Sequence, residues 1–380
     1  MKIGINLSIV RHRGAKNYLY GFIPALGKIG HRHKFLVFVP EEEIAKLGPL
    51  VPPNFELRGT RFKDHVWKRT LWEQFILPIV LKVWRADVLF APFEIAPLLF
   101  EPTLLAIRNP LALLMKTKGI EWPIGRTLKN KIQVALSSLS CRRAKIVFYP
   151  SQYASDQIGE IMSVPIAKRR VVYHGVQSEL WSNIKRDSKV FEKYGVQPRK
   201  YFLFVSTMYQ YKHPEVLLLA FARIRALGSY VDQRILLVGE FQDRRVESYL
   251  TKMIVETGME DIARVTGGVP IAELGCLYEG CTAFVMPTTM ETFGHMYLEA
   301  MSAGAPVICA DMPFAREVCG EAAWYFAPMD DEGCARLMLR SMKDDDGTAI
   351  LRAAGAMQTR KYSWRREATE TLELLRQLAR

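Results

Sequence analysis

Glu291 and Glu299 stand eight residues apart, with Thr292-Phe293-Gly294-His295 between them. Upstream, the apolar run Ala283-Phe284-Val285-Met286 ends at Pro287; downstream, Gly304-Ala305-Pro306 closes a helix-like segment. On one ideal helix, residues eight apart point about 80° away from each other. The two carboxylates therefore converge only if Glu291 lies in a turn and Glu299 on the helix after it, and the punctuation by Pro287 and Gly294 predicts that arrangement. A strand that delivers a carboxylate to the mouth of a helix makes a site for a phosphorylated ligand. The free backbone N–H groups and the positive end of the helix dipole receive the phosphate, and the carboxylates remain for hydroxyls of a sugar or ribose. Glutamate pairs at this spacing also arise by chance in helical proteins, so the reading needs other residues beside it.

Lys212 is the first of these. The run Tyr201–Val205 reads as a strand that enters Ser206-Thr207-Met208-Tyr209-Gln210-Tyr211-Lys212-His213-Pro214. If its strand shares a sheet with the one before Glu291, Lys212 lies across from Glu291, where an ammonium group can neutralise a diphosphate. A weaker signal sits in the first loop, where Arg11, Arg13 and Gly14 make a basic strand-to-helix connection without the GxGxxG spacing. His12, His174, His213 and His295 all follow expected strands, and none has Cys, His or Asp at metal-ligand spacing. His295, four residues before Glu299 on the same helix face, is the histidine expected at the site. Asp344-Asp345-Asp346 reads as a solvated loop, and no metal site is expected.

The 380 residues are 49% hydrophobic and 24% charged, as in an ordinary globular protein long enough for two cores. Six cysteines without CxxC pairing point to buried free thiols in a reducing compartment. The chain opens directly on a strand, so no signal peptide is expected, and no uninterrupted apolar stretch has the length of a membrane span. The net charge of +13 is uneven. Residues 1–180 hold 27 Lys/Arg against 13 Asp/Glu, residues 181–380 hold 25 against 26. All the excess positive charge thus belongs to the first half, which suggests that it faces a polyanion or an anionic membrane.

Short β-branched and aromatic runs alternate with segments of helical period in both halves. Strands are expected at 2–6, 35–39, 87–90, 104–107, 146–149 and 171–173, then at 201–206, 235–239, 263–266, 284–286, 307–309 and 324–326. Fully apolar strands alternating with helices indicate parallel sheets covered on both faces, hence two doubly wound α/β domains with ligands at the carboxyl ends of their strands and a cleft between them. A polar stretch over 177–199 reads as the link. The expected division is 1–180, 181–362 and a tail, 363–380, whose helix is capped by Ser363 and packs through Ala368, Leu372, Leu375 and Leu378.

Taken together, these segments resemble the family 4 retaining glycosyltransferases of the GT-B class, over nearly the whole chain and most strongly from Tyr201 to Asp331. The family's Glu-x7-Glu signature matches Glu291 and Glu299, with Phe293-Gly294 in place. Glu299-Ala300-Met301-Ser302-Ala303-Gly304-Ala305-Pro306-Val307, Arg316-Glu317-Val318, Pro150-Ser151, Tyr173-His174-Gly175-Val176, Leu71-Trp72-Glu73-Gln74 and Tyr362-Ser363-Trp364 are similar as well. The resemblance implies an α/β GT-B fold of two Rossmann-like domains facing a cleft, with the second binding a nucleotide-diphosphate sugar. Glu299 would meet the ribose, Lys212 the diphosphate, the N–H groups around Phe293, Gly294 and His295 the distal phosphate, and Glu291 the donor sugar, with Thr207 and Thr292 lining the site. Glu291 and Lys212 would be catalytic, with retention of configuration and no metal or other cofactor. Three positions depart from the family: Thr207-Met208 replaces an arginine before the lysine, Arg13-Gly14 a Gly-Gly pair, and Arg108-Asn109 a His-Asp pair. Arg11, Arg13 and Arg108 are the groups expected to substitute as phosphate contacts, with Gly14, Asn109 and His174 as further acceptor-side candidates.

The expected activity is transfer from GDP-mannose or a UDP-sugar to a saccharide or lipid-linked glycan in surface polysaccharide synthesis. The expected location is cytoplasmic, peripheral on the inner face of the plasma membrane, where the basic first domain meets anionic lipid through Lys116–Lys131 and Trp122. The alternatives are a non-catalytic scaffold, a GT-B-type nucleotide-sugar epimerase, and a nucleic-acid-binding protein; the last has no recognition motif behind it, and no nucleic-acid partner is expected.

Overall fold

The structure is a computed structural model, and it describes residues 1–10, 13–62, 65–117, 124–182, 187–228 and 232–380. Among these, thirteen strands run in chain order: β1 Lys2–Asn6, β2 Lys34–Pro40, β3 Phe55–Thr60, β4 Val88–Ala91, β5 Thr103–Ala106, β6 Ile146–Tyr149, β7 Arg169–Val171, β8 Tyr201–Val205, β9 Arg234–Val238, β10 Ala263–Val265, β11 Ala283–Met286, β12 Val307–Ala310 and β13 Ala323–Phe326. They form two sheets, ordered β3-β2-β1-β4-β5-β6-β7 and β10-β9-β8-β11-β12-β13. Every pairing is parallel. The central strands are buried along their length, as β4 (VLFA) and β8 (YFLFV) illustrate, because helices cover both faces of a parallel sheet. In each sheet the strand order reverses once, between β1 and β4 and between β8 and β11. Open parallel sheets bind ligands outside the carboxyl ends of strands at such a reversal.

The chain divides into two compact units, Met1–Gly175 with Tyr362–Arg380, and Val176–Lys361. The first holds 31 Lys/Arg against 15 Asp/Glu and the second 21 against 24, so the asymmetry is sharper by structural unit than by half of the sequence. The helix Trp364–Leu378 belongs to the first unit. Ser363 caps it by accepting from the Arg366 N–H, and Trp364, Ala368, Leu372 and Leu375 join the core formed by Tyr18, Phe22 and the sheet. The approach is close: a Cβ on Gly21 would lie 2.2 Å from the Trp364 ring.

Several expected elements differ in the structure. The edge strand β3 (FELRGT) was not expected, because only its two ends are buried and its middle alternates charge instead of apolar residues. Strand β7 begins at Arg169, two residues before the expected run, since an edge strand tolerates basic residues. The stretch read as a link carries helices Ser178–Ser182 and Ser188–Tyr194, the second capped by Asp187 and ended by Gly195 at φ 66°. Asp344 lies in no solvated loop; it caps the helix Asp345–Thr359 by accepting from the Gly347 N–H. All six cysteines are buried and unbridged. Among the described residues, no helix is long and apolar enough to cross a membrane and no cluster of three metal-ligating side chains occurs.

Candidate active site

In the second unit the strand-order reversal brings two loops together. After β8 the chain passes Ser206-Thr207-Met208, makes a short turn at Gln210–Lys212 and enters the helix Pro214–Ala226 through His213 in the left-handed region (φ 51°, ψ 47°). After β11 it passes Pro287 to Gly294 and enters the helix His295–Ser302. Backbone and hydroxyl groups join the loops: the Thr288 hydroxyl and the Thr289 N–H both donate to the Tyr211 carbonyl at 3.1 Å, and His213 Nε2 lies 3.0 Å from Thr289 Oγ1. His213 Nδ1 is in turn 2.8 Å from Glu215. The Lys212 ammonium thereby reaches the Glu291 carboxylate, forming a buried, hydrogen-bonded ion pair. Lys212 also lies 5.0 Å from the centroid of the Tyr211 ring, which stacks on Tyr209.

Glu291 is in the turn and Glu299 on the helix, as convergence requires. Lys212, Glu291 and Glu299 are only 5, 9 and 7% exposed. The Tyr278 hydroxyl lies 3.4 Å from Glu299 Oε2. Gly294 precedes the helix at φ 91°, and a Cβ there would meet the Tyr297 ring at 2.6 Å. Glycine is therefore needed to turn the first N–H groups of the helix outward. Phe293 is buried with its ring 5.3 Å from that of His295, which is half-buried at the first helical position, and Thr292 is buried beside them. Of Thr207-Met208, only Thr207 is exposed; Met208 is fully buried, so Thr207 is the side chain that this loop presents. Tyr278, Tyr211 and Thr288 escaped the sequence reading, because an aromatic in a helix or a threonine in a turn carries no signal of its partner.

In the first unit, Arg108, Asn109 and His174 come together at the carboxyl ends of β5 and β7. Arg108 Nε donates to His174 Nε2 at 2.9 Å, which places the imidazole proton on Nδ1, 3.0 Å from Glu367 Oε1. Glu367 Oε2 accepts from the Gly175 N–H at 2.8 Å, and the Arg108 guanidinium lies 3.7 Å from the Tyr18 ring centroid. Burial pulls the His174 pKa well below the usual histidine range, and the Arg108 charge adds to this, so the ring is neutral. Burial also pushes the Glu367 carboxyl up to about 8, with Arg108 and the Gly175 N–H pulling the other way. His174 is 3% exposed and engaged on both nitrogens. The half-buried Arg108 and the exposed Asn109 are the members of this cluster nearer to solvent, and their N–H groups both donate to Glu94 Oε1. Gly14 is exposed in the first turn of the helix Arg13–Ile29, not in the loop before it, and Arg11 lies outside the described residues.

Two all-parallel Rossmann-like units with polar chemistry at the carboxyl ends of their strands define an α/β protein of the GT-B class. The fold is that of HepE from Anabaena in complex with UDP and glucose (19% identity, 99% of each chain, TM-score 0.74). It is likewise that of WaaG, a glycosyltransferase involved in lipopolysaccharide biosynthesis (13% identity, 98% of this chain and 99% of the other, TM-score 0.72). Residues 186–360, nearly all of the second unit, match the family model of the glycosyl transferases group 1. The resemblance to family 4 glycosyltransferases therefore stands. Curated relatives include O-antigen chain mannosyltransferase B of Escherichia coli, 28% identical over 248 residues and 64% of each chain. D-inositol 3-phosphate glycosyltransferase of Pseudarthrobacter chlorophenolicus is 26% identical over 189 residues, 49% of this chain and 45% of that one. O-antigen chain mannosyltransferase RfbU of Salmonella typhimurium is 26% identical over 197 residues, 52% and 51% respectively. These matches span less than two thirds of the relatives' own length.

Proposed function

We propose that the protein is a retaining glycosyltransferase that moves a sugar, mannose being the first candidate, from a nucleotide-diphosphate sugar to a glycan acceptor in surface polysaccharide synthesis. The observation that carries this reading is the buried Lys212–Glu291 pair at the β8/β11 reversal, with Glu291 four residues before the helix His295–Ser302 and Glu299 on that helix. Glu299 takes the ribose hydroxyls. Lys212 and the first N–H groups of the helix hold the diphosphate and stabilise the charge that grows on it as the glycosidic bond breaks. Glu291 holds the donor sugar and, through its bond to Lys212, fixes the ammonium group before the reaction begins. An oxocarbenium-like sugar is then attacked on the face the diphosphate leaves, which retains configuration. This charge set supplies the positive charge from the protein itself, so the proposed step uses no metal. The mannosyltransferase relatives favour GDP-mannose as donor, and the UDP complex of a structural neighbour keeps a UDP-sugar in view. The excess cations of the first unit fit a cytoplasmic enzyme working at an anionic membrane face.

A thermal-shift titration with GDP, UDP, dTDP and ADP tests the donor site. One diphosphate is expected to raise Tm, by an amount equivalent to about 2.7 kcal/mol at a hundred times its Kd, and Glu299→Ala to weaken that response. No shift from any of the four would refute the donor site.

A further inference from the structure

Three consecutive residues of the second unit tie the loop after β8 to the loop after β11. The Tyr211 carbonyl accepts from the Thr289 N–H and the Thr288 hydroxyl, both at 3.1 Å. The Lys212 ammonium pairs with Glu291, and His213 Nε2 lies 3.0 Å from Thr289 Oγ1. Lys212 is thus flanked by a tie on each side. The Tyr211 bonds alone would let the backbone pivot at 212, and the His213 contact removes that freedom. His213 makes a second bond, from Nδ1 to Glu215 Oε1 at 2.8 Å. A carboxylate accepts and does not donate, so the ring proton sits on Nδ1 and the neutral imidazole accepts the Thr289 hydroxyl at Nε2. Glu215 belongs to the first turn of the helix Pro214–Ala226, so the ring bridges that helix to the loop that carries Glu291. The His213 and Glu215 side chains are 17 and 15% exposed, and water competes little for these bonds.

The backbone at this position works against a histidine. Its φ of 51° and ψ of 47° lie in the left-handed region, which is costly for a residue with a Cβ and open to glycine. Pro214 follows directly, and a proline pushes the residue before it toward extended backbone. Glycine would relieve this strain, so the reason for a histidine lies in its ring. Strained residues persist where surrounding bonds over-determine them, and they gather at functional sites. Here the bonds are those to Thr289 and Glu215, and their effect falls on the neighbouring Lys212.

We propose that His213 is a positioning residue: with Glu215 and Thr289 it clamps the loop after β8 to the loop after β11 and so sets the Lys212 ammonium against Glu291. The proposal rests on the transferase reading for what Lys212 then does to a diphosphate, while the clamp itself stands on the bonds. A histidine that only stabilised the fold would be missed in stability. The clamp is missed in the position of the ammonium, with stability nearly kept, because glycine relieves the strain while the bonds are lost.

Heteronuclear NMR of the lysine side-chain amines in the full chain tests this. A buried ammonium bonded to a carboxylate is sheltered from exchange with water. Its signal, assigned by its loss in Lys212→Arg, is expected in the wild type. His213→Gly and Thr289→Val are each expected to broaden that signal away while Tm stays within about 3 °C of the wild type. Thr289→Ser, which returns the hydroxyl, is expected to restore it. With GDP-mannose or a UDP-sugar, kcat of His213→Gly is expected to fall about tenfold to a hundredfold while KM for the donor changes less than about threefold, since a misplaced charge is missed most as the diphosphate leaves. A sharp Lys212 signal in His213→Gly would overturn the proposal, as would the lack of that signal in the wild type. A Tm lower by more than about 6 °C in both His213→Gly and Thr289→Val would also overturn it, by making the contact an ordinary structural one. The expected signal changes in a chain that turns over no nucleotide sugar would sink the transferase reading and keep the clamp. Slowed turnover with the signal intact would sink the clamp alone.

Discussion

Lys212→Ala is expected to lower the rate of sugar transfer by about 10²–10³-fold, the loss found when a preorganised charge or hydrogen bond is taken from a developing anion. The reasons are local. The ammonium is buried, fixed by Glu291 and adjacent to the helix mouth, so it meets the departing diphosphate with little reorganisation. Removing it also leaves the Glu291 carboxylate buried without its counter-ion, which costs about 3–5 kcal/mol of stability. The two effects separate in the double variant Lys212→Met/Glu291→Gln. Removal of both charges is expected to restore most of the thermal stability and none of the transfer rate. Kinetics and Tm measured on the same three proteins check this, and a double variant that regains activity would remove Lys212 from the chemistry. Lys212→Arg is expected to be a poor substitute, since the planar guanidinium does not replace a point charge in a closed pocket.

Gly239→Ala is expected to destabilise the second unit by about 3 kcal/mol or more, beyond the usual cost of overpacking. Gly239 follows β9 directly, at φ 144°, and a Cβ there would lie 1.7 Å from the Ser206 carbonyl oxygen and 2.7 Å from its carbon. Both are backbone atoms, so no rotamer change relieves the clash. The displaced segment is the one that leads to Lys212: Ser206 donates its N–H to the Val238 carbonyl and Met208 donates to that of Glu240, both at 2.9 Å. Loss of nucleotide binding should therefore accompany the loss of stability. Gly228→Ala is the control for a left-handed backbone alone, because Gly228 (φ 69°) has open space around it and lies where alanine can follow, unlike Gly239 at φ 144°. That substitution should cost about 1–2 kcal/mol, the price of one left-handed alanine. Urea denaturation midpoints distinguish the two, and equal losses would show that conformational strain alone, not the Ser206 contact, requires glycine at 239.

Most of the framework was legible because buried parallel strands are continuous apolar runs; the exceptions are the edge strands, β3 (FELRGT), β7 (RRV), which meets its expected run only at Val171, and β10 (ARV). The Glu291–Glu299 geometry was legible too, since proline and glycine fix where a strand ends and a helix starts. What lay hidden depends on distance across the fold. Glu367 stands 193 residues from His174, and nothing at either position announces the other. Gly239 looks like any glycine after a strand until Ser206 is seen against it. The exposure of Trp67, Leu71, Phe75 and Ile79, each half exposed or more, appears only in the structure. Arg108 and His174 were expected to reach a ligand, whereas His174 is committed to Arg108 and Glu367 within its own unit.

The most direct measurement is transfer itself: the purified chain incubated with GDP-mannose or a UDP-sugar, with and without octyl α-mannoside, and the product's anomeric configuration read by NMR. The expected result is diphosphate release that depends on the acceptor and a new linkage with the donor's own anomeric configuration. An inverted linkage would contradict the proposed mechanism, and sugar conversion that proceeds without any acceptor would contradict the assignment as a transferase.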